Sequence, residues 1–277
     1  MHRNIVRRFV WTGILALFLS PVVKCQSDSG TAIPDTVDLN PLGIVNTAFG
    51  IGEKLTFDLS YGFITAGEAF MSIPDTLLMQ GRRTFKVLFE VNSLPAFSWI
   101  YKVRDRYETY IDMEGIFPWR FEQHIREGGY SRDFTADFDQ RNHIARTSEG
   151  NYTIAPFVHD IMSAFYFMRT QDYSNKRPGE RFHLKNFYKD SSYALDIKYL
   201  GRQEIDVDAG TFNCIVLEPM VREGGLFKSD GRIIVWLTDD ERKIPVKVST
   251  KVVIGTIDCE LREYSGLRGP IPSKIDD

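Results

Sequence analysis

The sequence predicts a mainly β protein: a strongly curved antiparallel sheet or open β-barrel, with one helix at about residues 158–170 packed in its mouth. Three observations lead there. Apolar and polar residues alternate along many short stretches, as on strands with one face buried and one wet. Tight-turn residues punctuate those stretches at short range, which joins neighbours as antiparallel hairpins. One segment between two strand runs has helical spacing instead.

Taken in order, Leu55, Phe57, Leu59 and Tyr61 alternate with Lys54, Thr56, Asp58 and Ser60. After a turn at Gln80-Gly81, Phe85, Val87, Phe89 and Val91 alternate with Thr84, Lys86 and Glu90. Between Glu114-Gly115 and Gly128-Gly129, Trp119, Phe121 and Ile125 alternate with Arg120, Glu122 and His124. Ile161, Phe165 and Met168 then recur at helical spacing around Ala164, with Pro156 or His159-Asp160 setting the first turn. Turns at Gly224-Gly225 and Asp239-Asp240 bound the later strands. There Ile244, Val246, Val248 and Val252 face away from Lys247, Ser249 and Lys251, and Ile257, Cys259 and Leu261 away from Asp258, Glu260 and Arg262. A helix apolar over much of its surface packs into the concave face of such a sheet. The competing arrangement is a pair of stacked β-domains joined through that helix.

The ends read differently. Arg3, Arg7 and Arg8 precede the apolar run Phe9–Leu19, the pattern of a secretory signal over residues 1–25 and too short for a membrane span. Export places the protein in the periplasm, and Lys24 before Cys25 argues against lipid anchoring there, since a lipoprotein signal needs a small residue at that position. Residues 26–47 read as a flexible leader, 48–265 as one β-rich domain and 266–277 as a tail. No transmembrane segment is expected in the mature chain.

Charge excludes some partners. The whole chain carries −3; without residues 1–25 it has 30 basic and 37 acidic residues, or −7. A net acidic domain with no basic stripe argues against nucleic acid. Cys214 and Cys259 remain, and an oxidising compartment permits a disulfide between them; two separate buried thiols are the alternative.

Several stretches carry a resemblance. They are Gly52-Glu53-Lys54-Leu55-Thr56-Phe57, Ala66-Gly67-Glu68-Ala69, Val103 to Glu108, the helix with Asp160, Ser163, Ala164 and Arg169, Gly210 to Cys214, Val235 to Asp240, and Lys243 to Lys247, followed by Gly255-Thr256 and Glu260-Leu261. In order and spacing they resemble a family of secreted bacterial proteins known only as a domain of unknown function. That family is similar in architecture to the LolA/LolB lipoprotein carriers, which implies a curved sheet cupping an apolar cavity. It implies no catalytic or binding residues.

The residues themselves offer little chemistry. His124, His143, His159 and His183 are scattered, so no metal is expected, and no phosphate loop or nucleophile elbow calls for a cofactor. His159, near the helix start, suits a surface or cap role. Asp239-Asp240-Glu241 suits a turn better than a hydrolase carboxylate pair. If the strand period holds, Asp105 shares the apolar face of Tyr101 and Tyr107, and Arg132 that of Phe134, so the two could pair across strands or line a cavity. The connection Leu94–Tyr101 and the helix add an apolar surplus. Trp99, Tyr101, Asp105, Tyr107, Arg132 and Phe165 are therefore the candidate ligand-binding residues. The expected function is non-catalytic binding of an apolar ligand, a lipid or a lipidated partner. An envelope assembly factor acting through a protein-binding surface comes second and a hydrolase third.

Overall fold

The computed structural model describes residues 39–40, 43–99, 101–220, 232–251 and 255–275. The signal segment with Cys25, residues 26–38 of the leader, the Gly224-Gly225 turn and Val252 lie outside the described residues.

Alternation becomes strand almost wherever it was read. The first meander comprises β1 (Lys54–Tyr61), β2 (Ile64–Met79), β3 (Arg82–Ser93), β4 (Arg104–Asp112), β5 (Pro118–Glu127), β6 (Tyr130–Asp139), β7 (Ile144–Thr147) and β8 (Gly150–Thr153), with a short helix α1 (Pro95–Ser98) between β3 and β4. Helix α2 (Ile161–Arg169) then leads into β9 (Arg181–Tyr188), β10 (Ser191–Val207), β11 (Gly210–Met220), β12 (Ile233–Thr238), β13 (Pro245–Lys251) and β14 (Thr256–Ser265). A short β15 (Lys274–Ile275) pairs with β11.

All these strands form one antiparallel sheet, ordered β8-β7-β6-β5-β4-β3-β2-β1-β14-β13-β12-β11-β10-β9. The chain therefore walks out from the middle to one edge, crosses through α2 to the far edge, and returns to pair β14 with β1. Just before α2, the backbone of His159 bridges to Asn186 of β9 in parallel sense. The sheet is not closed, and the arrangement is the curved, open-barrel one rather than two stacked domains.

Bends occur where the sequence disrupts the ladder. In β2 the register shifts between Ser72 and Asp75, around Pro74, which has no N–H to donate. In β10 it shifts at Gly201, whose φ of +121° suits glycine alone.

The period-two reading holds at the core. Leu55, Phe57 and Leu59 are buried, as are Val87, Phe121, Ala136, Ile197 and Leu217 from other strands, and they join one cluster with Met162, Ala164 and Phe167 of α2. Phe89 is only half-buried, for a reason given below. On the opposite face of β11 to β14, Phe212, Cys214 and Val246 form a second, smaller cluster.

The described residues of two segments read as loose make packing contacts. Leu39 is buried against Phe117 and Trp119, and the Asn46 amide group accepts N–H bonds from Ala48 and Phe49. Residues 266–275 cover the smaller cluster: Ile271 packs on it, the Ser273 carbonyl accepts from Asn213 N–H, and the Lys274 ammonium sits over the rings of Phe212 and Tyr264. Polar composition hid these contacts, because few apolar anchors suffice for a short covering segment.

Asp160 starts α2. Its Oδ1 accepts from the backbone of Met162 (2.7 Å) and Ser163 (2.9 Å), Ser163 Oγ accepts from Asp160 N–H in return, and Oδ2 accepts from the Thr109 hydroxyl of β4 at 2.7 Å. This capping box thus also ties the helix to the sheet. Asp160→Ala should cost about 1–2 kcal/mol of unfolding free energy in urea titrations, with Asp160→Asn recovering part of it through its own cap. A cost near zero would mean the box does not hold the helix.

Candidate functional site

Helix α2 lies across the concave face without filling it. Between them remains a recess of about 180 Å3, open to solvent. The helix supplies Ile161, Met162, Ala164, Phe165 and Met168; β1 to β4 supply Phe57, Met71, Phe89 and Tyr107; β9 to β14 supply the rest, among them Leu195, Pro219, Val235, Val248 and Cys259. Strand alternation turns these side chains inward, and helical spacing turns α2's apolar face to meet them. Phe89 is half-buried because it faces this space. Among the described residues, no charged side chain lines it.

Its few polar groups are mostly satisfied. The Asn186 amide nitrogen donates to the carbonyls of His159 (3.0 Å) and Asp160 (3.2 Å), and its oxygen accepts from the Tyr193 hydroxyl at 2.7 Å. Burial pushes the Asp160 carboxyl up to about 6 despite its three donors, and pushes His159 down to about 3, so that its imidazole stays neutral. His159 is thus a core residue with its ring tilted against Phe167, not a surface or cap histidine.

Tyr107 is different. Its side chain is fully buried, directly across the strand pair from Gln123, yet neither its hydroxyl nor Gln123 Oε1 has a partner of hydrogen-bonding geometry. The two border a cleft of about 20 Å3, enough for one water-sized group. The cleft and the recess share Tyr107, Ile161 and Asn186 as walls.

Along the same inner face lie two buried acids. Asp105 and Glu127 are 3% and 4% exposed, and Asp105 accepts from the Arg126 backbone N–H at 2.8 Å. Burial raises both carboxyls; the Asp105 charge raises Glu127 further, while the Arg126 N–H and the hydrogen bond to Glu127 hold Asp105 down, so the pair holds its proton on the Glu127 side.

At the helix C-terminus stands a full ion pair. The Arg169 Nη1 and Nη2 donate to the Glu53 oxygens at 2.7 and 2.8 Å, both side chains are wholly buried, and Nη2 also reaches the Arg242 carbonyl at 3.2 Å. The guanidinium lies over the rings of Phe49 and Tyr166.

The residues singled out from sequence scatter. Tyr107 and Phe165 line the recess. Trp99 is 79% exposed after α1, which buries none of its residues, and neither lines the recess. Tyr101 packs at the end of the core and interacts with Glu127. Asp105 and Arg132 have separate partners: Arg132 donates to the Tyr188 hydroxyl (3.1 Å) and Glu149 (3.0 Å), over the rings of Phe134 and Tyr188. The expected pairing fails because Asp105 already has a backbone donor and Glu127 beside it. Cys214 and Cys259 are free thiols on β11 and β14, three strand spacings or roughly 14 Å apart and in different core clusters, so no disulfide joins them. Burial raises each thiol to about 12. Asp240 acts in its turn, accepting from the backbone of Arg242 and Lys243.

Sequence reasoning missed Gln123 and Glu127, although both share the parity of Phe121 and Ile125. It also missed the wall from β10 and β11, because the polar residues of Ser191–Val207 outnumber a clear alternation.

No helix among the described residues is long and apolar enough to cross a membrane. No curated protein is similar enough to this chain to count as a match. Among solved structures, a β-barrel-like protein of the domain of unknown function DUF1849 from Brucella abortus is similar with a TM-score of 0.51 at 9% identity, covering 79% of this chain and 99% of that one, which shows a shared fold. A candidate exported protein with a YmcC-like fold from Bacteroides fragilis matches at 9% identity over 80% of this chain and 100% of that one, with a TM-score of 0.38. A candidate lipoprotein from Parabacteroides distasonis matches at 8% identity over 79% and 97%, with a TM-score of 0.37. Neither of these two likenesses is close enough to carry an argument. A family model described as a protein of unknown function matches residues 56–262, nearly the whole span from β1 to β14, and the chain belongs to that family, DUF3108.

Proposed function

We propose that this protein binds an apolar ligand, without catalysis, in the recess between α2 and the concave sheet, and that it does so in the periplasm after export. The observation that carries the reading is the recess itself: about 180 Å3 walled by carbon from ten strands and one helix, with no charged side chain among the described lining residues. An apolar cavity of roughly 150 Å3 is already large enough to take up a benzene-sized molecule. Each methylene moved there from water contributes about 0.8 kcal/mol. A single alkyl chain or small ring fits better than a multi-chain lipid. Export is supported by the basic residues Arg3, Arg7 and Arg8 ahead of the run Phe9–Leu19.

The neutral probe N-phenyl-1-naphthylamine tests the site. Delipidated protein should enhance its fluorescence saturably. Ala164→Phe and, separately, Val248→Trp, which grow bulk into the recess from helix and sheet, should weaken uptake by about tenfold or more while circular dichroism stays unchanged. Absence of uptake by the native protein, or full uptake by both folded variants, would sink the reading.

A further inference from the structure

We infer that the ligand is an amphiphile with a neutral, hydroxyl-like head, seated between Tyr107 and Gln123 while its chain occupies the recess. The inference rests on the binding reading above and names the chemistry of its ligand.

The polar groups where recess meets cleft divide sharply. Asn186 and Tyr193 satisfy one another and the carbonyls of His159 and Asp160. Asp160 takes its bonds from Met162, Ser163 and Thr109, and Tyr188 accepts from Arg132. Tyr107 and Gln123 act on one another across the strand pair, but not at hydrogen-bonding geometry, so the Tyr107 hydroxyl and Gln123 Oε1 are each left short of a bond in the same cleft. A buried polar atom left so costs its desolvation in full, so both atoms await a group that completes them. Tyr107 can donate; Gln123 Oε1 can only accept. One hydroxyl serves both, accepting from the tyrosine and donating to the amide oxygen. The cleft, at about 20 Å3, has space for a group of that size and no larger.

Charge narrows the choice. Asp105 and Glu127 lie on the same inner face and act electrostatically on Tyr107, so a carboxylate or phosphate head would meet like charge. A carboxylate also lacks the proton that Gln123 Oε1 requires. An ammonium head, a donor only, would leave the Tyr107 proton without an acceptor. Adjacency completes the case: Tyr107, Ile161 and Asn186 wall both spaces, so a head in the cleft sits beside the apolar recess that would take its chain.

Competition against N-phenyl-1-naphthylamine, using ligands of one chain length, tests this. In the native protein 1-octanol should displace the probe at a concentration about tenfold lower than octanoate, octylammonium or n-octane, each corrected for its partition from water. Gln123→Leu, close in shape and outside the recess lining, should erase the octanol advantage over octane while keeping the probe affinity, which certifies an intact recess; Tyr107→Phe should reduce the octanol advantage relative to octane measured on the same variant. Octanoate or octylammonium binding tightest, or an octanol preference untouched by both variants, would overturn the inference and leave the apolar site standing. Equal displacement by all four would do the same, with a bridging water the simplest occupant of the cleft. A native protein that binds neither the probe nor any of the four would instead remove the binding reading beneath it.

Discussion

Arg169→Met should destabilise the protein by about 3–5 kcal/mol, a large share of the roughly 5–15 kcal/mol that holds an ordinary domain. The arginine is wholly buried, and its fork meets both oxygens of Glu53. Removing it strands the Glu53 carboxylate in a fully buried site and takes the guanidinium from the rings of Phe49 and Tyr166. Arg169→Lys should restore little, because a single ammonium cannot reproduce two parallel bonds and the third to the Arg242 carbonyl. The double variant Glu53→Met with Arg169→Met should recover most of the loss, since removing both charges removes both desolvation costs. Urea midpoints for the four proteins decide the matter. A single variant within about 1 kcal/mol of the native protein would show that the pair is not sealed from water, a threshold set by exposed pairs.

The second large effect is a pH dependence. Glu127 is raised to about 8 by burial and by Asp105 beside it, against an ordinary value of 4.5. Because the folded value lies above the unfolded one, the stability tied to this proton is complete below about pH 4 and fades as the pH climbs through about 8. Between pH 5 and 8 the native protein should lose on the order of 2–4 kcal/mol through this pair. Glu127→Gln keeps a neutral donor beside Asp105 and should flatten that loss. Asp160, raised to about 6, adds in the same direction. His159, lowered to about 3, opposes it: its contribution is present above about 6.5 and falls away as the pH drops toward 3. The informative quantity is therefore the difference between native and variant midpoints at each pH, in which those two groups cancel. A constant difference from pH 5 to 8 would falsify the shared-proton account.

Much of the architecture was legible because alternation is a local property. Phe57, Val87 and Phe121 declare their inward direction within a few residues, and the turns at Gln80-Gly81, Glu114-Gly115 and Gly128-Gly129 fall between successive strands. The helix was visible too, since Asp160 and Ser163 bracket its first turn before an apolar run. The site was less legible. Periodicity puts Asp105 on the inner face, but only the strand register reveals that Glu127 reaches it and Arg132 does not. The exposure of Trp99 was not legible, because an apolar stretch beside a sheet looks the same in sequence whether it turns inward or out. Glu53 and Arg169 lie 116 residues apart, and no local pattern links them.

The seam between β1 and β14 has a consequence for how this chain reaches its native state. Lys54 pairs with Ser265, and Arg262 reaches both Asp58 and Glu68, so the earliest strand gains its second neighbour only from the last part of the sheet to be synthesised. Until then β1 is a greasy template with one side unmet, the situation that invites mispairing between chains. Such long-range closure slows folding toward the millisecond-to-second regime. Refolding yield should therefore fall with protein concentration more steeply than stability alone would suggest, and a holding chaperone would act before β14 arrives.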